Sequence, residues 1–160
     1  MENISPKLWV FFCLLICSCS NNDNLSNNIN TKASFSDSIK FSPAGLKVIT
    51  SFINRKSGTM STLYGNPLAL KSAAGLNKML AGGEAFTLVT WKQQPDEHWF
   101  GASIPGDLES VEILKSNSNG SAVVINYQRY EGKALAPNSN TSMKNERIKF
   151  ILGQRPSVMP

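Results

Sequence analysis

The chain has 160 residues, which is enough for one domain with some sequence to spare. Hydrophobic residues make up 41% and charged residues 17%, a composition that is typical of folded proteins and excludes an intrinsically disordered chain. The net charge is +5, but no basic, aromatic-rich platform for nucleic acid is visible. Because the chain has one histidine and no cysteine after residue 19, a zinc or copper site in its folded part would have to take most of its ligands from carboxylates.

The N-terminus has the pattern of a lipoprotein export signal. Leu8 to Cys17 reads LWVFFCLLIC, an uncharged run that would rise about 15 Å as a helix and is too short to span a bilayer. Ile16-Cys17-Ser18-Cys19 then resembles a lipobox, with Ser18 before the cut and Cys19 after it. Cys17 is a poorer lipid acceptor, because bulky Ile16 would directly precede that cut. We expect cleavage before Cys19 and lipid attachment to it.

A polar tether is predicted to follow the lipidated cysteine. Ser20 to Thr31 reads SNNDNLSNNINT, which cannot bury enough apolar surface to offset the entropy of ordering. We expect a signal peptide at 1–18, the lipidated Cys19 and its tether at 19–37, and a single β-rich domain without cysteine at 38–160. The lipid would hold the domain at the cell envelope. Ser20 after the acylated cysteine favours the outer membrane under the sorting rule of some bacteria.

Predicted strands alternate with turn signals along the folded region. The strands are Leu46–Phe52, Thr59–Tyr64, Glu84–Gln93, His98–Ser103, Val111–Lys115, Ser121–Tyr130 and Ile148–Leu152, and the turns or loops include Asn54–Gly58, Ile104–Gly106, Asn117–Gly120 and Ala136–Thr141. Both faces of Glu84–Gln93 are apolar, which is typical of a central strand. A helix is predicted at Leu68–Ala74, because Asn66 is a good N-cap and Pro67 suits the first helical position. The predicted class is α+β, mainly an antiparallel sheet of six or seven short strands with one helix packed on it.

The only histidine, His98, is the first candidate functional residue. It would act as a haem or metal ligand, or as a general base oriented by Asp96. Glu97 would not orient it, since neighbouring residues of a strand point to opposite faces. A surface histidine is the favoured interpretation. No serine lies in a Gly-x-Ser-x-Gly elbow, which disfavours a hydrolase.

Aromatic residues on the predicted strands are candidates for lining a ligand pocket with His98. They are Trp91, Trp99 and Tyr127, although aromatic residues on strands belong more often to the core. The C-terminal segment is basic. We interpret it as a solvated edge strand whose charges oppose pairing with another strand. The alternative is that it faces an anionic membrane surface. Its basic residues are Lys144, Arg147, Lys149 and Arg155.

Three segments together resemble the cytochrome P-460 family. They are Tyr64-Gly65-Asn66-Pro67 leading into Ala69–Ala74, Gly82-Gly83-Glu84-Ala85 leading into the strand that ends Val89-Thr90-Trp91-Lys92, and Asp96–Gly101. The resemblance covers roughly half of the chain. It implies a periplasmic antiparallel β domain with a helix on the sheet.

The chain departs from that family at the haem-attachment motif. Haem-binding members carry Cys-x-x-Cys-His near the C-terminus, whereas Gly106–Pro160 contains neither cysteine nor histidine. The departure excludes covalent c-type haem, and no cross-linking lysine is assigned. We therefore expect a non-enzymatic binding or interaction module without a cofactor. The sequence does not distinguish a small-molecule partner from a protein partner. The alternatives are a redox protein that holds haem non-covalently through His98 and, third, a hydrolase.

Overall fold

A computed structural model describes residues 29–34, 45–76, 80–120, 122–140 and 142–157. The predicted signal peptide and Cys19 lie outside the described residues. The elements are β1 Lys47–Asn54, β2 Thr59–Gly65, α1 Pro67–Ala73, β3 Ala85–Pro95, β4 Ser103–Asn119, β5 Ala122–Glu131, β6 Ala136–Pro137 and α2 Lys144–Gly153. The strands form one antiparallel sheet in the order β1-β2-β3-β4-β5-β6, so each pairs with its neighbour in sequence. The predicted antiparallel α+β class is confirmed.

The sheet is apolar on both faces around β3. As predicted, β3 is central, and its residues from Phe86 to Trp91 are all buried. Both helices cover one face, which we call the helix face. Its core consists of Ile49, Leu63, Ala69, Ala73, Phe86, Leu88, Leu114 and Ile151. The second face has a smaller core made of Val89, Trp91, Leu108 and Val111.

Helix α1 forms where the capping signals predict it. The side chain of Asn66 accepts a hydrogen bond from the backbone N–H of Ala69 at 2.9 Å, and Pro67 is the first helical residue. Gly75 follows the helix with a φ of +77°, a conformation that glycine adopts without a steric penalty. Asn66 also donates to the carbonyl of Gly83 at 2.8 Å. The cap therefore fixes the entry of α1 beside the start of β3.

The prediction of a last strand at Ile148–Leu152 was wrong, because these residues lie within a second helix, α2. Ile148, Ile151 and Leu152 have the helical spacing i, i+3, i+4, and all three pack on the helix face. The residues after α2 close this face, since the backbone N–H of Ser157 donates to the carbonyl of Ile49 at 3.0 Å. The basic segment is thus a helix over the sheet and not an edge strand.

Two predictions around the start of β4 were also wrong. His98–Ser103 is not a strand: the seven residues from Asp96 to Ala102 form a loop between β3 and β4. Ile104–Gly106 is not a turn but part of the long strand β4. The pairing of β3 with β4 shifts register twice near Trp91. Such irregularities allow the strand to contain Pro105, which has no backbone N–H to donate.

The other predicted connections differ less from the structure. The hairpin at Asn117–Gly120 is confirmed, with β4 continuing to Asn119 and β5 starting at Ala122. Within the predicted loop Ala136–Thr141, Ala136 and Pro137 pair with the end of β5 as the short strand β6. Neither helix in the described part of the chain has the length and apolar character needed to cross a membrane.

Candidate functional site

A polar cleft opens on the helix face between the sheet and α2. Its volume is about 210 Å³, which suits a ligand smaller than a typical drug molecule. The lining residues come from all of the first five strands, the β1–β2 turn and α2. They comprise the hydroxyl residues Ser57, Thr59, Ser61, Thr90 and Ser110, the amide Asn54, the charged residues Glu109, Glu112, Arg129 and Arg147, and the rings of Phe52 and Phe150.

Strand alternation explains how these polar side chains reach one face. In β4, Ser110 and Glu112 are two residues apart and point to the same side, towards α2. Across the sheet, Ser110 is paired with Thr90 of β3, and Thr90 with Ser61 of β2. The Oγ of Ser61 and the Oγ1 of Thr90 lie 3.0 Å apart in a hydrogen bond. A row of buried hydroxyl groups therefore forms the floor of the cleft.

A buried ion pair forms one wall of the cleft. The carboxylate of Glu112, whose side chain is 1% exposed, accepts from Nε of Arg147 at 2.9 Å and from its Nη2 at 2.5 Å. The hydroxyl of Tyr127 donates to the same carboxylate at 2.5 Å. The guanidinium carbon of Arg147 also lies 4.9 Å from the centre of the Phe150 ring. This bidentate arrangement holds α2 on the sheet.

The contacts with Glu112 fix the protonation states of Tyr127 and Arg147. Burial and the hydrogen bond to Glu112 raise the pKa of Tyr127 well above its usual range. The hydrogen bonds to Glu112 likewise raise the pKa of Arg147. Tyr127 is therefore a neutral donor and Arg147 a cation over the whole ordinary pH range. Neither group is suited to exchange protons with a substrate.

Arg129 completes the charged lining and is less firmly held. Its Nε lies 3.0 Å from Oε1 of Glu131, close enough for an ion pair, yet that N–H is not aligned for a hydrogen bond with any acceptor. Because both side chains of this pair are partly exposed, it contributes little to stability. Arg129 thus has one N–H donor that no acceptor in the described part of the chain occupies.

A second buried carboxylate, Glu84, has a structural role. It accepts hydrogen bonds from the backbone N–H groups of Ala81 and Gly82 at 2.8 and 2.9 Å, and from the hydroxyls of Ser72 and Ser116. Burial alone would raise the pKa of Glu84, but the hydrogen bonds from Ser116 and the two N–H groups outweigh it and lower the pKa. These bonds fix the loop that leads into β3.

The structure does not bring the four predicted site residues together. His98 and Trp99 lie in the loop before β4, with 84% of the His98 side chain exposed. Trp91 is buried in the core of the second face, where its Nε1 donates to the carbonyl of Ala33 at 3.0 Å. Tyr127 lies on the helix face against Glu112.

Non-covalent haem ligation through His98 does not fit the geometry around that residue. His98 is exposed, and its neighbours Trp99 and Phe100 have exposed fractions of 72% and 110%. None of these side chains provides a buried wall that would shield a porphyrin from water. Among the described residues, no group of three or more histidine, cysteine, aspartate or glutamate side chains could hold a metal ion.

The residues that build the cleft were missed by the sequence analysis. Glu112 carried a detectable signal, because it is a charged residue at an inward position of the alternating stretch Val111–Lys115. Comparisons with known proteins add no further assignment. No protein-family model matches the chain, and no curated protein matches it significantly.

Proposed function

We propose that this chain is an exported lipoprotein, anchored through Cys19, whose folded domain is a cytochrome P-460-like, non-enzymatic binding module. The polar cleft takes a small neutral molecule rich in hydroxyl or amide groups. The observation that carries this proposal is the cleft itself, in which buried hydroxyls form the floor and the charges of the walls balance. Attachment at Cys19 and the family relationship rest on the sequence.

The charge and chemistry of the lining favour a neutral ligand. Two glutamates and two arginines line the cleft, so their formal charges sum to zero. The carboxylate of Glu112 is engaged by two N–H groups of Arg147 and by the hydroxyl of Tyr127. An anion or cation would have to compete with this internal pair, whereas hydroxyl and amide groups can bond to the serine and threonine side chains. The rings of Phe52 and Phe150 add an apolar contact beside the polar floor.

The same pairing argues against catalysis in the cleft. General acid–base chemistry needs a group whose proton is available near neutral pH. The Glu112 carboxylate is held by three donor atoms, and Tyr127 keeps its proton. The ion pair is therefore interpreted as a structural support for a binding surface.

Binding is tested with residues 19–160, which contain all described elements. Amide resonances are followed by NMR during titration with a panel of methyl glycosides, polyols and small amides. We expect a member of the panel to shift resonances of β2, β3 and β4 at the cleft. Thr90→Val should weaken that binding about tenfold, since it removes one hydroxyl and leaves its partners without a bond. Thr62→Val, on the second face of β2, is the matched control and should bind normally.

Two results would overturn the cleft proposal. One is a panel in which no compound shifts the cleft resonances at millimolar concentration. The other is binding that Thr90→Val and Thr62→Val leave equally intact. A haemin titration of the same protein tests the alternative function: a Soret shift abolished by His98→Ala would establish haem ligation and displace the proposed one.

Anchoring has its own test in cells. The full chain should incorporate labelled palmitate in a bacterial host, and Cys19→Ala should abolish the incorporation and leave the precursor unprocessed. Cys17→Ala is the matched control, because it also removes a cysteine at the signal boundary but should leave lipidation intact. Label that persists in Cys19→Ala would refute attachment at Cys19.

A further inference from the structure

The loop between β3 and β4 displays two large aromatic side chains to solvent. Trp99 is 72% and Phe100 110% exposed. The loop is nevertheless well tied at its base, where the backbone N–H of Asp96 donates to the carbonyl of Ala102 at 3.0 Å. A second bond runs from the N–H of Ala102 to the carbonyl of Trp99, also at 3.0 Å. The two rings are therefore held outward on a closed loop, a costly arrangement for a surface without a partner.

The position of the upstream segment shows which way this loop faces. Residues 29–34 lie on the second face, where Nδ2 of Asn30 donates to the carbonyl of Pro105 at 2.5 Å and Trp91 bonds to Ala33. Pro105 is only two residues into β4 from Ser103, where the loop ends. The chain coming from Cys19 thus joins the domain at the end of the sheet that carries the aromatic loop.

The length of that connection limits the distance between the loop and an anchored lipid. Nine residues lie between Cys19 and Ile29, and the ten steps from one Cα to the next span at most about 36 Å when fully extended. A lipid on Cys19 therefore keeps this end of the domain within about 36 Å of the bilayer. Tethering converts even a weak contact into an intramolecular one at high effective concentration.

We propose that Trp99 and Phe100 insert into the headgroup region of the bilayer to which the chain is tethered, and so set the orientation of the domain. This inference rests on the proposed attachment at Cys19. Tryptophan favours the membrane–water interface because its ring has an apolar body and a polar N–H. The carboxylates of Asp96 and Glu97 at the base of the loop favour a zwitterionic headgroup layer over an anionic one.

The test supplies the anchor chemically, which separates this inference from lipidation in cells. In residues 19–160, Cys19 is the single cysteine, and Trp91 and Trp99 are the only tryptophans. The thiol is coupled to a maleimide phospholipid, and the product is inserted into phosphatidylcholine vesicles with or without brominated chains. We expect bromine to quench Trp99 fluorescence. In Trp99→Phe, the remaining signal from Trp91 should be unquenched, because Trp91 is only 7% exposed.

Further variants test whether the aromatic pair drives the insertion. Phe100→Ser should lower the ratio of inserted to free loop about tenfold. This is the effect expected when one aromatic side chain no longer contributes its burial in the bilayer. Leu76→Ser is the matched control, since Leu76 is 75% exposed after α1 and should not alter Trp99 quenching. Circular dichroism confirms that each variant is folded.

Two outcomes would overturn the inference. One is a tethered, folded protein whose Trp99 emission is equal in brominated and ordinary vesicles. The other is a concentration-dependent dimer in solution that Phe100→Ser abolishes, which would assign the aromatic loop to a second copy of this chain. A failure of palmitate incorporation in cells would refute the anchor at Cys19 and, with it, insertion into a bilayer to which the chain is tethered, whereas unquenched Trp99 in tethered vesicles would refute the insertion alone.

Discussion

The buried ion pair between Glu112 and Arg147 allows a quantitative prediction. Arg147→Met keeps an apolar stem over the sheet but leaves the Glu112 carboxylate, 1% exposed, without its cation. Breaking a buried pair costs about 3–5 kcal/mol of unfolding free energy. Because the Arg147 side chain is itself 26% exposed, we expect the lower end, about 3 kcal/mol.

Urea unfolding followed by circular dichroism measures this loss. With a slope of about 1.5 kcal/mol per molar urea, the midpoint of Arg147→Met should fall by about 2 M. Lys149→Met is the matched control, because it removes a positive charge from an exposed position of the same helix and should change stability by less than about 0.5 kcal/mol. The double variant Glu112→Leu/Arg147→Met should recover at least half of the loss, since it removes the buried charge as well.

The electrostatic reasoning would be refuted if Arg147→Met were as stable as the parent chain. It would also be refuted if Lys149→Met were as harmful as Arg147→Met, or if the double variant were less stable than the single one.

Two other predictions concern the loop before β3. Gly82→Ala should lower the unfolding free energy by more than about 2 kcal/mol, because φ is +92° and the added Cβ would lie 2.7 Å from the backbone nitrogen of Ser118. Gly153→Ala, whose Cβ meets nothing within 4 Å, is its control, and a similar loss in both would contradict the steric argument. The lowered pKa of Glu84 stabilises the fold above the unfolded value near 4.5, and this contribution disappears as the pH falls through the folded value. Glu84→Gln should therefore be less stable at pH 7 but lose less stability between about pH 5 and pH 3, and parallel acid-unfolding curves for variant and parent would contradict this.

Local signals were sufficient for the first half of the sheet and for α1. The turn at Asn54–Gly58, the pairing strand after it and the cap at Asn66 each depend on chemistry within a few residues. The central position of β3 also followed from its own sequence, because apolar residues on both faces are typical of a strand that is covered on both sides.

The C-terminal helix and the cleft could not be predicted in the same way. The five-residue segment Ile148–Leu152 is too short for its periodicity to separate a strand from a helix, and α2 begins without a capping side chain. The predicted edge strand would not have placed Arg147 against Glu112, which lies 35 residues earlier in the sequence. Buried ion pairs depend on tertiary packing, so a single sequence shows only the isolated charge on β4.

The contact between the last described residues and β1 has a consequence for the order of folding. Hairpins between successive strands can form as the chain emerges, because each joins segments that are close in sequence. The hydroxyls of Thr50 and Ser157, by contrast, lie 2.7 Å apart although 107 residues separate them. A chain that lacks its final residues has an open helix face and no cation for Glu112. The helix face is therefore completed only when α2 and Ser157 dock on it, a step that depends on contacts far apart in sequence and follows the formation of the local hairpins.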